Sequence, residues 1–212
     1  MAQFETLEVA GWWPALEGMR APLKSYDKSN TIFDHNKLPV FDETNPDYKL
    51  AKRLCLAGTE HSKWMRQVQV WVKISAPLFW WSEFDTYKVG TSANSESTMH
   101  TITKQLLTSR DFETNDSMIM EETIDNLNNL ILQYQAAAEK NDKLVMQALF
   151  ISIKCLLPAS FIQTRYVNLN YAVLQNMYKQ RKNHRLPQWN SDFVSWVKSL
   201  PYSEFITQEF DQ

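Results

Sequence analysis

The sequence predicts an α+β protein in which helices dominate and the sheet is small. Most of the chain carries apolar residues at helical spacing, whereas residues 67–74 alternate strictly, with Val68, Val70, Val72 and Ile74 on one face. The 212 residues, of which 44% are hydrophobic and 22% charged, are typical of a soluble globular protein. We therefore expect one domain over residues 1–212, with an irregular N-terminal segment (1–45) and a core (46–212).

The first half of the chain contains the predicted strands. Residues 4–9 are the only strand-like part of the N-terminal segment, which is otherwise rich in Pro, Asn, Asp and Trp. Residues 47–57 have helical spacing, and Gly58 fits the C-terminal cap. Pro77 fits the first turn of a short helix. Residues 86–101 are small and polar, which predicts a loop able to wrap a ligand.

The second half is predicted to be mostly helical. One predicted helix runs from a cap at Asp116 or Ser117 to Glu139, and the next runs from a cap at Asn141 or Asp142 to Leu157. A third long helix is predicted after Pro158. Two short amphipathic segments follow, at 189–200 and 202–210.

Composition excludes several classes of function. With 4 glycines and no glycine-rich phosphate motif, the sequence argues against a dinucleotide-binding turn or a P-loop. The net charge of −2 indicates neither nucleic-acid nor membrane binding. The N-terminus lacks the basic and apolar regions of a secretory signal, and no apolar run is long enough for a membrane span, so we expect a cytoplasmic protein.

Cysteine and histidine give no catalytic or metal pattern. Cys55 and Cys155 both lie in helical patterns and are predicted to be reduced core thiols. The four histidines have no metal-ligand spacing with each other or with cysteine.

One stripe in the C-terminal region mixes charge with apolar residues. Asn170, Leu174, Met177 and Arg181 lie at offsets 0, 4, 7 and 11, which place them on one helix face. A guanidinium on an apolar face needs an anion or hydrogen-bond acceptors. Alternatively, Arg181 lies at the edge of the stripe, where its guanidinium reaches water or pairs with a carboxylate. The sequence therefore allows Arg181 either a ligand contact or a structural contact.

Tryptophans occur in two adjacent pairs. Trp12 is followed by Trp13, and Trp80 by Trp81. Adjacent residues on a helix point about 100° apart, so we expect only one ring of the second pair to reach the core. A subunit interface or a stacking surface for a flat ligand could use the other ring, and a partly exposed ring is the alternative.

The C-terminal region resembles the flavin-dependent thymidylate synthases. That family has a Leu-Pro pair before a helix with Asn, Arg, Asn and a later Arg, and then a Gln-Trp element. The corresponding residues here are Leu157, Pro158, Asn170, Asn176, Arg181, Gln188 and Trp189. Ala172 occupies the position of the intervening arginine.

The resemblance extends upstream more weakly. Gly58, the strand at 67–73 and the segment 76–79 are similar to a glycine segment, a strand and an Ala-Pro turn of the family. In the polar loop, the positions near the family's Ser, Asn and Ser are Thr91, Ser92, Asn94 and Ser97. The resemblance covers residues from about 54 to 200.

The sequence departs from the family where charge is expected. Thr86, Tyr87 and Lys88 align with its Arg-His-Arg signature, and Met99 or a neighbour aligns with an arginine that contacts phosphate. Glu83 replaces a glutamine, and Glu60 with His61 falls too early for the Glu-His pair. Lysine in place of arginine loses bidentate phosphate recognition. These departures predict weak FAD binding.

The resemblance implies a nucleotide site shared between subunits of a homotetramer. In the family, FAD carries hydride to a methylene group that folate delivers to dUMP, and Arg181 would polarise the pyrimidine. Three hypotheses remain: an active enzyme of this kind; a nucleotide-binding or inhibitor protein without catalysis, of the sort found in phage and mobile elements; and an interaction protein that keeps only the fold. The first two predict that Asn170, Asn176, Lys88, Ser92, Asn94, Ser97 and Gln188 bind the nucleotide or cofactor.

Overall fold

A computed structural model describes residues 1–113 and 118–210, and it confirms the α+β class. The strands are β1 (Gln3–Ala10), β2 (Ile32–Phe33), β3 (Pro39–Val40), β4 (Gln69–Pro77), β5 (Thr91–Ser95) and β6 (Ile162–Asn170). The helices are α1 (Trp12–Arg20), α2 (Pro46–Leu56), α3 (Leu78–Phe84), α4 (Thr98–Thr101), α5 (Met118–Glu139), α6 (Lys143–Leu156), α7 (Tyr171–Arg181), α8 (Val194–Lys198) and α9 (Glu204–Thr207). No helix in these ranges is long and apolar enough to cross a membrane.

The chain divides into two compact units. The first unit contains Met1–Ile74, Asp85–Asn94 and the described residues from 166 onward. The second contains Ser75–Phe84 and the described part of Ser95–Arg165. One sheet has the strand order β1-β4-β6-β5, and β2 pairs antiparallel with β3.

An aromatic core centred on Trp12 holds the first unit together. The Trp12 indole is fully buried, and its ring centroid lies 5.3 Å from that of Tyr171 and 5.5 Å from that of Tyr202. Trp64 packs edge-on against Phe205 at 5.2 Å. Burying rings of this size removes a large apolar area from water and stabilises the unit.

Helix α1, which supplies Trp12, was not predicted. Trp12, Ala15, Leu16 and Met19 are buried at offsets 0, 3, 4 and 7, so the helix has a regular apolar face. The left-handed residue that precedes it is Gly11, with φ of 91°. The segment is also rich in proline, asparagine and tryptophan, which favoured an irregular structure in the sequence-based prediction.

The second unit is built on the hairpin of α5 and α6. Its core contains Ile102, Leu107, Phe112, Ile124, Leu127, Ile131 and Ile153. The side chain of Asn128 on α5 accepts a hydrogen bond from the Leu107 amide at 2.7 Å and donates to the Leu107 carbonyl at 2.9 Å. Asp142 caps α6, as predicted, and accepts from the amide of Val145 at 3.2 Å. The predicted caps at Asp116 and Ser117 lie outside the described residues.

The predicted continuous helix after Pro158 is wrong in its first part. Residues Ile162–Asn170 form β6, and helix α7 starts only at Tyr171. The strand buries Val167 and Leu169 and leaves Tyr166 exposed, an alternation with a period of two. The β-branched and aromatic residues of this segment favour a strand as well.

The predicted loop at 86–101 is also partly wrong. It contains the edge strand β5 and the short helix α4. Residues of β5 are almost entirely exposed, so the strand carries no alternation of buried and exposed residues that a sequence could reveal.

The expectation for Trp80 and Trp81 is wrong, because both indoles are buried. Trp81 donates a hydrogen bond to the Gln163 carbonyl at 2.9 Å, and the guanidinium of Arg165 lies 4.2 Å from its ring centre. Trp80 is buried as well, so both faces of the short helix α3 are covered. In the other pair, only one ring is buried: Trp12 is in the core, whereas Trp13 is 62% exposed.

Candidate functional site

The first unit contains a cavity of about 710 Å³. Its lining comes from the segment after α2, from residues 86–90 and from one face of α7: Thr59, Ser62, Arg66, Thr86, Tyr87, Lys88, Val89, Gly90, Asn170, Ala172, Val173, Gln175, Asn176 and Lys179. Ligand sites for small molecules have volumes of this order, roughly 300–1,000 Å³. The cavity is therefore large enough for a nucleotide.

The first turn of α7 forms one wall. Asn170 ends β6 and caps the helix, and its side-chain oxygen accepts a hydrogen bond from the Val173 amide at 3.1 Å. Ala172 and Val173 complete this wall. The N-terminus of a helix carries a partial positive charge, which favours an anion in the adjoining space.

Residues 86–90 form the facing wall, and Gly90 lets them approach α7. Gly90 has φ of +78°, and a Cβ placed on it would lie 2.9 Å from Val173 Cγ2 and 3.1 Å from the side-chain nitrogen of Asn170. A side chain at this position would therefore be strained and would clash. The hydroxyl of Thr91 donates to the Tyr87 carbonyl and closes the turn.

Two different faces of α7 serve the core and the cavity. Leu174 and Met177, from the predicted stripe, are fully buried, so that stripe is the core face. The cavity face carries Ala172, Asn176 and Lys179, at offsets 0, 4 and 7. Asn170 reaches the same cavity because it precedes the helix as its cap.

The cavity lining is positively charged. Arg66, Lys88 and Lys179 line it, and no carboxylate does. None of the three forms an ion pair with another residue in 1–113 or 118–210. A bound anion would therefore meet cations that are not already neutralised by the chain.

Arg181 lies behind the cavity wall and is half-buried. Its Nε donates to the Tyr87 hydroxyl at 2.8 Å, and its guanidinium lies 4.9 Å from the centre of the Trp189 ring. Tyr87 in turn donates to Gln180 at 2.8 Å, and Gln180 donates to Asn176 at 3.1 Å. Arg181 thus contacts the cavity wall through Tyr87.

The other predicted site residues are dispersed. Asn170, Asn176 and Lys88 line the same cavity within one chain. Ser92 and Asn94 are exposed on β5 and do not line it, and Ser97 belongs to the second unit. Gln188 is buried at the start of the π-helical turn Gln188–Phe193 and is also absent from the lining.

Gln175 joins the cavity to a buried thiol. Its side-chain nitrogen donates to the Phe205 carbonyl at 3.1 Å and lies 3.4 Å from Sγ of Cys55. Burial raises the pKa of the Cys55 thiol, so the group stays neutral and is a poor nucleophile. Cys155, which was expected in the core, is exposed. No cluster in the described residues could hold a metal ion.

Sequence reasoning missed most of the charged lining. Arg66 is the last residue of a 3-10 turn (Lys63–Arg66) and belongs to no motif, and Lys179 looks like an ordinary surface lysine. The spacing of Ala172, Asn176 and Lys179 was a usable signal, since it defines a polar stripe opposite the core stripe. Gly90 was a second signal, because it is one of only 4 glycines.

Comparison with known proteins indicates the fold. No protein-family model and no curated protein matches the sequence. A crystal structure of thymidylate synthase X from Helicobacter pylori with FAD and dUMP matches with a TM-score of 0.70 and 15% identity, over 99% of this chain and 98% of that one. A second structure of the flavin-dependent enzyme from the same organism, with the same two ligands, matches with a TM-score of 0.70 and 14% identity, over 98% of both chains. The chain therefore has the fold of a flavin-dependent thymidylate synthase.

Proposed function

We propose that this chain, which has the fold of a flavin-dependent thymidylate synthase, binds a phosphorylated nucleotide in the cavity beside α7. The observation that carries the proposal is the charge of the lining: Arg66, Lys88 and Lys179 face the cavity without a carboxylate. The first turn of α7 adds its partial positive charge, and Asn170, Gln175 and Asn176 add amide groups that can orient a base or sugar.

The lining does not fit the charges that the resemblance assigns to FAD. At the signature positions, Tyr87 already donates its hydroxyl proton to Gln180, Thr86 is neutral, and Lys88 is a point charge without a bidentate fork. Ala172 lines the cavity where an arginine is expected. We therefore infer nucleotide binding without redox chemistry, and Arg181 serves as a positioning residue for Tyr87.

Two other functions remain as competing proposals. An active flavin-dependent synthase is favoured by the full-length likeness to enzymes that hold FAD and dUMP. An interaction protein that keeps only the fold is favoured by the apolar surface of α6.

The small molecules that accompany the purified protein separate these functions. We would record the absorbance spectrum, denature the protein and identify the released compounds by mass spectrometry. A colourless protein that releases a phosphorylated nucleotide supports the proposal. A yellow protein supports the synthase, and a colourless protein that releases nothing and binds no added nucleotide supports the interaction protein.

We predict that the protein purifies without stoichiometric FAD. Hydrogen bonds to charged groups contribute about 1.5–3 kcal/mol each. Losing three of them would take a micromolar site to about the millimolar range or weaker. Flavin absorbance measured against protein concentration checks this. A one-to-one ratio would contradict the prediction and would mean that Lys88, Arg66 and Lys179 replace the missing arginines.

We also propose a homo-oligomer, most simply a tetramer, whose contact includes α6. Leu144, Ala148, Ile151 and Cys155 form a stripe at offsets 0, 4, 7 and 11, and all four are exposed, Leu144 by 80% and Ile151 by 54%. A stripe with this spacing suits helix-on-helix packing. Asn170 and Asn176 line the same cavity within one chain, so a partner subunit is not needed to bring these two residues together.

If this stripe of α6 forms the subunit contact, a charged residue placed in it should dissociate the oligomer. Ile151→Asp should shift the mass measured by light scattering from that of an oligomer to that of a monomer, because a carboxylate would be buried against apolar side chains. Asn129→Asp, the same change of charge at an exposed position of α5, should leave the oligomer intact. A wild-type monomer at micromolar concentration would contradict the prediction.

A further inference from the structure

The side-chain amide of Gln175 has a fixed orientation. Its nitrogen donates to the Phe205 carbonyl at 3.1 Å and lies 3.4 Å from the sulfur of Cys55. The Cys55 thiol, whose pKa burial raises, keeps its hydrogen and donates it to the same carbonyl at 3.3 Å. Because a carbonyl oxygen only accepts, the amide nitrogen of Gln175, and not its oxygen, must face Phe205. Both hydrogens of this amide therefore point into the core.

The oxygen of the same amide is available to a ligand. Within residues 1–113 and 118–210, no group donates a hydrogen bond to Gln175 Oε1, and the atom is accessible to solvent. Gln175 is only 5% exposed, and it lines the cavity. A ligand that fills the cavity must therefore donate a hydrogen bond to this oxygen or leave it unsatisfied.

The other amide side chains of the lining offer donors instead. The oxygen of Asn170 accepts from the helix that it caps, and the oxygen of Asn176 accepts from Gln180 at 3.1 Å. Their NH2 groups have hydrogens for a ligand, and the lysine and arginine side chains of the lining carry donors only. Gln175 thus adds an acceptor of fixed orientation to a lining whose cations and other amides donate.

Burial indicates which part of a nucleotide Gln175 meets. Arg66, Lys88 and Lys179 are exposed, whereas Gln175 is buried. A phosphate group is strongly hydrated and suits the exposed cations, and it would be repelled by the partial negative charge of Gln175 Oε1. The base is the least polar part of a nucleotide, so it suits the buried part of the lining, and each of the four common bases carries an N–H group.

We propose that Gln175 accepts a hydrogen bond from an N–H group of a nucleobase and so determines which bases the cavity takes. The proposal rests on nucleotide binding as the function of the cavity, and it names the group of the ligand that is recognised. Phe205 and Cys55 act as positioning residues, since they hold the amide with its oxygen toward the ligand.

Calorimetric titration with pairs of nucleotides tests this. The 5′-monophosphates of uridine, cytidine, adenosine and guanosine would be titrated into the full chain, each beside a derivative in which methyl groups replace every N–H hydrogen of the base. For the base that binds most tightly, methylation should weaken binding about 10-fold to 100-fold, because it leaves a buried acceptor without a donor. This comparison needs no substitution in the protein.

The variant Gln175→Met separates the lost hydrogen bond from the added bulk of the methyl groups. It should bind the unmethylated nucleotide more weakly, and to within about 2-fold of the methylated one, because no acceptor remains to prefer the N–H group. The Phe205 carbonyl keeps the Cys55 thiol as a donor, so the variant should fold, and its melting temperature checks this.

Gln135→Met is the matched control. The side-chain nitrogen of Gln135 also donates to a backbone carbonyl, that of Thr103 at 3.0 Å, but Gln135 does not line the cavity. This variant should keep both the affinity and the preference of the wild-type protein.

The outcomes distinguish this proposal from the one on which it rests. Equal affinity within all four pairs would overturn the hydrogen bond to the base and leave nucleotide binding in place. A preference that survives in Gln175→Met would be an effect of methyl bulk and would overturn the role of Gln175. If none of the unmethylated nucleotides binds the wild-type protein, nucleotide binding itself fails.

Discussion

Replacing Asp47 by asparagine is expected to lower the free energy of unfolding by about 3–5 kcal/mol, which is the usual cost of breaking a buried ion pair. The Asp47 carboxylate is fully buried and lies 2.7 Å from the Arg20 guanidinium, whose side chain is 7% exposed. Ser29 and Thr31 donate to its second oxygen at 2.8 and 2.6 Å. The substitution would leave the Arg20 charge buried and without its counter-charge. Chemical denaturation measures the loss.

The same pair predicts how stability depends on pH. Burial by itself would raise the pKa of Asp47, but the hydrogen bonds from Thr31, Ser29 and Arg20 outweigh it and lower the pKa below its ordinary value. A carboxyl whose pKa is lower in the folded state stabilises the protein above its unfolded pKa. That stability is lost as the pH falls through the folded pKa. The wild-type protein should therefore lose more stability on acidification than Asp47→Asn.

A surface pair is the control for Asp47. Glu60 lies 3.5 Å from Lys63, and their side chains are 79% and 64% exposed. Because water screens such a pair, Glu60→Gln should leave the denaturation midpoint nearly unchanged. An Asp47→Asn protein as stable as the Glu60→Gln protein would show that the buried pair does not stabilise the fold.

The second large effect is expected at Arg181. Arg181→Met removes the 2.8 Å hydrogen bond to Tyr87 and the contacts of the guanidinium with the rings of Tyr87 and Trp189. One hydrogen bond contributes about 1 kcal/mol, and each cation–π contact about 0.5–1 kcal/mol. We expect the protein to lose about 2 kcal/mol of stability, and nucleotide affinity to fall moderately because Tyr87 loses a partner.

This prediction decides between the two interpretations of Arg181. Arg185→Met, at an exposed arginine outside the cavity lining, is the matched control and should change neither stability nor affinity. If Arg181→Met keeps its melting temperature and abolishes nucleotide binding, Arg181 contacts the ligand directly, as the family resemblance implies. The positioning role would then be wrong.

The elements that sequence predicted well are those with one strong periodicity. Helix α2 has a helical apolar pattern, a proline at its start and Gly58 in the left-handed conformation just after its end. From Gln69 to Ala76, strand β4 alternates between buried apolar residues and more exposed residues. In both cases the local preference and the tertiary environment favour the same structure.

The elements that were predicted wrongly lack this agreement between local preference and tertiary environment. Residues from 162 to 181 contain apolar positions that fit a helix over their whole length, yet β6 and α7 divide at Asn170. An asparagine that caps a helix looks, in a sequence, like a polar residue inside one. The predicted pairing of Asn170 with Arg181 on one face followed from that error.

Part of the site could be predicted from the resemblance to a known family. Asn176 and Lys88 were found through the resemblance, and both line the cavity. Arg66 reaches the cavity from a segment that lies more than one hundred residues earlier in the chain than α7. Only tertiary packing, seen in the contact between Met65 and Gln175, brings it there.

Nucleotide binding in the cavity can be tested directly by NMR, by following the side-chain amide signals of Asn170 and Asn176 during titration with a nucleoside 5′-phosphate. Both asparagines line the cavity, whereas Asn94 and Asn183 are exposed elsewhere and serve as internal controls. We expect the signals of Asn170 and Asn176 to shift together and saturate and those of Asn94 and Asn183 to stay in place. The unphosphorylated nucleoside should produce a much weaker effect. Signals of Asn170 and Asn176 that do not move at millimolar nucleotide would contradict nucleotide binding in this cavity.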